Sequence, residues 1–201
     1  MNNSMNEKYL ELFSVPMQIT ELELNIDSLT EFCYEMKHKD EGVEISNMGG
    51  WQSDDVFNET HTEFVKLKNK IEEAANIYHH AMQFKKTYNQ KISKIWVNIN
   101  QKGHLNMSHN HPYSIFSGAF YLTKGETSPI DFEHPYKDIN VHYWHEAIIE
   151  NFNSVNSSKY SLPPKPNTLI IFPSWIQHKV HTNEEDTDRI SFSFNTKILL
   201  N

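Results

Sequence analysis

The sequence predicts an α+β fold, a β-barrel or jelly-roll core with helices packed on one side. Three observations carry that prediction. Apolar residues recur at helical spacing in the N-terminal part. From about residue 91 the apolar period falls to two, the signature of half-buried strands. Clusters of Gly, Pro, Asn and Asp then divide the remainder into short segments.

Residues 1 to about 20 read as an extended lead-in carrying Leu10, Phe13, Val15 and Pro16. The stretch 26–38 reads as a helix, because Ile26, Leu29, Phe32, Cys33 and Met36 fall on one stripe and Asp27 or Ser28 can cap it. Residues 47–55 read as a polar loop. The stretch 61–84 reads as a longer helix whose stripe of Phe64, Leu67, Ile71, Ala74, Ala75, Tyr78 and Met82 packs against a sheet. His79-His80 is expected at its exposed edge. Ile95, Val97 and Ile99 then alternate with Trp96, Asn98 and Asn100. Further strands are expected at 115–123, 129–133, 168–172 and 189–196. Turn signals stand at Lys102-Gly103, Lys124-Gly125, Pro163-Pro164 and Asn183 through Asp186. Residues 141–160 fit neither pattern.

A chain of 201 residues suits one domain, with a helical part at about 20–90 and a β core at about 91–198. The formal net charge of -8 argues against nucleic acid or an anionic membrane as partner. The one cysteine, Cys33, excludes an internal disulfide and a cysteine-based zinc site, and its apolar neighbours point to packing. The N-terminus lacks the apolar core of a signal peptide. No apolar run approaches the roughly 18 residues of a membrane span. The expectation is a cytoplasmic, reduced protein, with a homodimer as the default assembly.

Histidine is the unusual component. There are twelve, and eight lie between His104 and His181. Residues i and i+2 of a strand share a face, so His109 and His111 can aim two imidazoles at one point. A distant histidine on a neighbouring strand, with His178 the candidate, completes a facial set of three ligands and leaves half the coordination sphere open. An open position implies catalysis rather than a structural metal. His142 and His145, and His181 relative to His178, stand three apart, which on a strand puts them on opposite faces. Trp51, Trp144 and Trp175 are candidates to line a substrate cleft, Trp51 on a mobile loop after two glycines and Trp175 more in keeping with plain packing.

Seven segments, in this order and spacing, carry a resemblance. They are Gly49-Gly50-Trp51-Gln52-Ser53, Trp96-Val97-Asn98-Ile99-Asn100, Gly103 through Asn106, His109-Asn110-His111-Pro112, Ser117 through Leu122, Phe172-Pro173-Ser174-Trp175 with His178, and Arg189 through Asn195. The chain resembles the iron(II) and 2-oxoglutarate-dependent oxygenases, and among them a group of small oxygenases from bacteria and phages. That resemblance implies a double-stranded β-helix (jelly-roll, cupin-like) core, Fe(II) as metal and 2-oxoglutarate as cosubstrate. It implies a hydroxylase acting on a peptide, an amino acid or a small metabolite.

The wider superfamily carries His-x-Asp where this chain has His109-Asn110-His111. His111 therefore stands in the place of a carboxylate, and Asp131 or Glu133 remains as an alternative third ligand. Arg189 would hold the far carboxylate of 2-oxoglutarate through a bidentate, charge-assisted grip. Otherwise it pairs with the acidic run at 184–188. Ser191, two residues on, adds a hydroxyl on the same face. Tyr121 is either a contact to the same carboxylate or a core aromatic. Asn98 and Asn100 either touch the cosubstrate or orient a ligand. Two other readings stay open: a cosubstrate-free three-histidine dioxygenase of cupin type, and a non-catalytic β-barrel binding protein.

Overall fold

The computed structural model describes residues 8–123 and 128–201. The expected turn at Lys124-Gly125 and residues 1–7 lie outside the described residues. The N-terminal half contains β1 (Gln18–Glu21), α1 (Ile26–Lys39), β2 (Asn47–Met48), β3 (Trp51–Gln52) and α2 (Thr62–Ala81). The chain continues through β4 (Tyr88–Asn100), β5 (Leu105–His109), β6 (Phe116–Tyr121), β7 (Ile130–Glu133) and α3 (Lys137–Tyr143). It ends with β8 (Lys159–Leu162), β9 (Thr168–Pro173), β10 (His178–Val180) and β11 (Arg189–Leu200).

The strands form two antiparallel sheets. One has six strands in the order β1-β9-β6-β11-β4-β3, the other five in the order β2-β5-β10-β7-β8. This is the α+β jelly-roll architecture that the sequence predicts, with α1 and α2 on the outer side of the six-stranded sheet.

Alternation along the long strands explains the layers. On β4, Ile95, Val97 and Ile99 face the helices, and on β11 Ile190, Phe192 and Phe194 do the same. They pack with Leu29, Phe32, Phe64, Leu67 and Ile71 from the helices. Phe64 stacks on Phe192 at 5.3 Å between centroids and on Phe32 at 5.0 Å. The other residues of the same strands face the second sheet. A smaller cluster there includes Phe132, Ile170, Phe172 and Val180.

Several expectations are corrected. The first helix is capped by Asn25, whose side chain accepts from the Ser28 amide at 3.1 Å, rather than by Asp27 or Ser28. His79 is fully buried, not exposed. It bonds Gln90 Nε2 at 3.1 Å through Nδ1 and the Lys85 carbonyl at 3.1 Å through Nε2. A buried polar ring is satisfied there by two partners that sequence periodicity does not reveal. The second helix stops at Ala81, three residues short of the expected end. The polar loop holds two short strands that bridge the sheets: β2 pairs β5 of one sheet and β3 pairs β4 of the other. Gly49 and Gly50 join them at φ of 65° and 70°, the left-handed region that glycine tolerates. Trp51 is buried on β3, not displayed on a mobile loop, and its indole donates to the Asp40 carbonyl at 2.9 Å. Trp175 is half exposed rather than packed. Residues 141–160 contain the end of α3, a short turn and β8.

Candidate active site

The register of the sheets brings the candidate residues together. His178 on β10 is the direct partner of His109 on β5, and direct partners point to one face. His111 is not on the strand. β5 ends at His109, and His111 enters the following turn, where its backbone N–H donates to the Ser174 carbonyl at 2.9 Å. Ser174 is itself fixed. Its Oγ lies 2.8 Å from Ser117 Oγ, which donates to Asn195 Oδ1 at 2.7 Å. A hydrogen-bonded turn, rather than strand alternation, thus aims the second imidazole.

The three rings converge. Their centroids are 5.0 Å apart for His109 and His111, 4.4 Å for His109 and His178, and 5.0 Å for His111 and His178. One ligand nitrogen from each lies within 4.8 Å of the other two. His109 Nδ1 lies 2.7 Å from the Met107 carbonyl, and His178 Nδ1 lies 3.0 Å from the Ile176 carbonyl. A carbonyl only accepts, so each Nδ1 carries the proton and each Nε2 presents its lone pair, that of His178 lying 3.3 Å from His111 Nε2. Burial pushes all three rings below the usual imidazole range, to about 3 for His111 and about 4 for His178. The neighbouring histidines add to the fall at His111, and His109 adds to it at His178. Neutral imidazole is the form that binds a metal.

The acidic alternatives do not reach this point. His178 pairs directly with Phe132, so Phe132 shares its face and Asp131 and Glu133 take the other. Asp131 accepts from Lys159 at 2.9 Å and from Ser161 at 2.5 Å, and lies 2.7 Å from His181 Nε2. Glu133 pairs with Lys137 and accepts from Ser108. Both line an open cleft on the outside of the five-stranded sheet instead. His142 and His145 border that cleft as well, are exposed, and join no metal-holding cluster among the described residues.

The opposite wall comes from β4, β11 and β6. Ser191 is the direct partner of Asn98 on one side and of Tyr121 on the other, which sets the three in one row facing the histidines. Arg189 lies two residues along on the same face. It is 3 % exposed and pairs with no acid among the described residues. Its Nε donates to the Ser128 carbonyl at 3.2 Å, and its guanidinium lies 5.2 Å from the centre of the Tyr121 ring. The acidic run is engaged elsewhere, Asp186 by Lys102 and Asp188 by Tyr34. The buried Tyr121 hydroxyl faces the Arg189 guanidinium and has no other partner among the described residues. Burial pushes it up, against the pull of the Arg189 charge. Asn98 lines the cavity and donates to Ser193 at 2.9 Å. Asn100 does not line it. Its Nδ2 reaches Asn106 Oδ1 at 2.9 Å and ties β4 to β5. The space enclosed is narrow, about 40 Å³, so a ligand has to part the side chains at its rim.

The sequence pattern of a family described as "Putative 2OG-Fe(II) oxygenase" matches residues 94–195, half of the chain. The chain belongs to this 2OG-Fe(II) oxygenase family. Solved structures agree on the fold. A non-heme α-ketoglutarate-dependent carbocyclase, SnoK of nogalamycin biosynthesis, superposes with a TM-score of 0.66 at 10% identity, over 91% of this chain and 79% of that one. A Pseudomonas putida prolyl-4-hydroxylase gives 0.59 at 10% identity over 90% and 91%. A viral collagen prolyl hydroxylase from Paramecium bursaria Chlorella virus-1, in complex with 2OG, gives 0.56 at 13% identity over 90% and 94%. No curated protein matches the chain by sequence.

For the oxygenase, the cofactors are iron(II) and 2-oxoglutarate, and the chemistry of the lining residues suits both. Three imidazoles whose burial favours the neutral form converge there, and a buried guanidinium and the Tyr121 phenol lie across from them. Trp96 is the residue that the sequence alone does not single out. Its ring lines the cavity 5.7 Å from that of His111. The available signal is its place on the polar face of β4, in step with Asn98.

Proposed function

We propose that this oxygenase is a hydroxylase in which His109, His111 and His178 hold iron(II) and Arg189 anchors 2-oxoglutarate. The observation that carries this reading is a buried arginine with no acidic partner among the described residues, set across a cavity from three convergent imidazoles. A desolvated guanidinium calls for an anion, and its planar fork matches a carboxylate. Ser191 and the Tyr121 hydroxyl, both on the Arg189 face, add two more hydrogen-bonding groups for the same carboxylate. The anchored cosubstrate thus has its 2-oxo acid end directed to the histidines.

When bound, iron and 2-oxoglutarate would supply the oxidation with dioxygen as the oxidant, one oxygen atom entering succinate as the cosubstrate loses carbon dioxide and the other entering a substrate C–H bond. The protein's part is to orient and to exclude water. The Met107 and Ile176 carbonyls hold two rings in the ligating tautomer. Phe132 and Phe172 pack against the His178 ring at 6.0 and 4.9 Å and keep that side of the site dry. Hydroxylation is favoured because two of the similar structures are prolyl hydroxylases.

The test is anaerobic titration of the iron(II)-loaded protein with 2-oxoglutarate, followed by visible absorption. A weak charge-transfer band is expected to grow in. In Arg189→Ala the same band should need at least about tenfold more 2-oxoglutarate. Bound iron without a band would replace this reading with a cosubstrate-free dioxygenase.

A further inference from the structure

Among the described residues the cavity is walled by histidines, amides, hydroxyls and apolar groups, with Arg189 their one permanent charge and no carboxylate. This has a consequence for charge balance. Ligating imidazoles are neutral. Iron(II) brings two positive charges, Arg189 brings one, and 2-oxoglutarate removes two. One positive charge is left in a buried site, where an unbalanced charge is costly. An aspartate at position 111 would cancel it, but this chain has His111 there, and strand parity turns Asp131 and Glu133 to the outside.

A second observation is independent of the metal. Ser193 follows Arg189 by four residues on the same face of β11, about 13 Å along the strand. Beside it, on β4, stands its direct partner Trp96. The Trp96 indole N–H meets no acceptor among the described residues. The Ser193 hydroxyl accepts from Asn98 and keeps its own proton undonated. Ser46, across the cavity, accepts from Asn106 at 3.3 Å and likewise has a proton to give. Three donor-bearing side chains, Trp96, Ser193 and Ser46, thus line the cavity together with the Asn98 amide. Surplus donors in a cavity await an acceptor-rich ligand group.

Resting on the function proposed above, we propose that the substrate bears a single carboxylate, received by Trp96, Ser193 and Ser46 at the end of the cavity away from Arg189. The substrate class is then an amino acid or another carboxylate-bearing small molecule. One negative charge restores neutrality, which a neutral substrate would not do and a doubly charged phosphate would overshoot.

The test uses the zinc-loaded protein saturated with 2-oxoglutarate, with acetate and its neutral analogue acetamide as probes followed by saturation-transfer NMR. Acetate should bind at least about tenfold more tightly than acetamide. The double variant Trp96→Phe/Ser193→Ala should lose that preference while calorimetry shows its 2-oxoglutarate affinity unchanged. His111→Asp, which supplies the missing charge inside the protein, should also weaken acetate by about tenfold. Equal binding of the two probes by the wild type overturns the proposal. So does acetate binding that survives in the double variant, since that anion would sit on the metal. Failure of 2-oxoglutarate to bind the wild type overturns the underlying function as well, whereas its binding without an acetate preference overturns the carboxylate subsite alone.

Discussion

Asp131 shows how one residue's neighbours decide its work. Its sequence position, on a strand beside the site, makes it a candidate ligand. Strand parity and three partners assign it to stability instead. Burial pushes its carboxyl up, but hydrogen bonds from His181, Ser161 and Lys159 outweigh this and bring it down to about 2. A free aspartate titrates near about 3.9. The folded value is the lower one, so the stabilisation is fully present above about pH 4 and fades as the pH falls toward about 2. At neutral pH it amounts to about 2 kcal/mol. In denaturant titrations across pH, the wild type should lose stability in that window and Asp131→Asn should be flatter there. Parallel curves would place the acid sensitivity in another group. Parity becomes legible in the sequence only once Phe132 is known to be the partner of His178. Pairing is a long-range fact that no local pattern contains.

Among the elements, β6 and β11 carry the strictest demands. Gly118 faces Phe194, and a Cβ placed on it would come within 2.3 Å of the Ile170 carbonyl oxygen and 2.4 Å of Phe194 Cζ. Backbone cannot move aside cheaply within a paired strand. Gly118→Ala should therefore lower stability by about 1–3 kcal/mol, read as a drop in the melting temperature. An unchanged melting temperature would mean that the strands shift to make room. The long elements are legible in the sequence, because α2, β4 and β11 are long enough for periodicity to speak. The two-residue strands β2 and β3 are not, since a pair of residues has no period. The spacing from His109 puts His111 on a strand, yet a turn bonded to Ser174 delivers it. The outcome for the ring is the same, and the physical cause is different.

In the whole molecule, one sheet serves two masters. Its outer face is held by the helices through Phe192, Phe194, Ile95 and Val97, and its inner face presents Arg189, Ser191 and Asn98. Truncating Phe192 to alanine should cost about 3–5 kcal/mol in chemical denaturation. The 2-oxoglutarate affinity of the folded protein, measured well below the new midpoint, should stay the same. A matching loss of affinity would show that the helices tune the site and do not merely carry it. This division explains why so much of the site is visible in the sequence. Alternation on β4 and β11 sorts core from cavity residue by residue. It cannot separate Asn98 from Asn100, which share a face and differ only in what lies opposite.

The carbonyls behind His109 and His178 bear on how the centre assembles. Each ring is tethered to the backbone two residues before it, so both point inward before any ion arrives. The His111 ring has no such tether among the described residues. An ion would thus meet two rings already aimed at it, and His111 would be the ring left to be fixed on capture. Ordering one side chain instead of three lowers the entropy lost on capture.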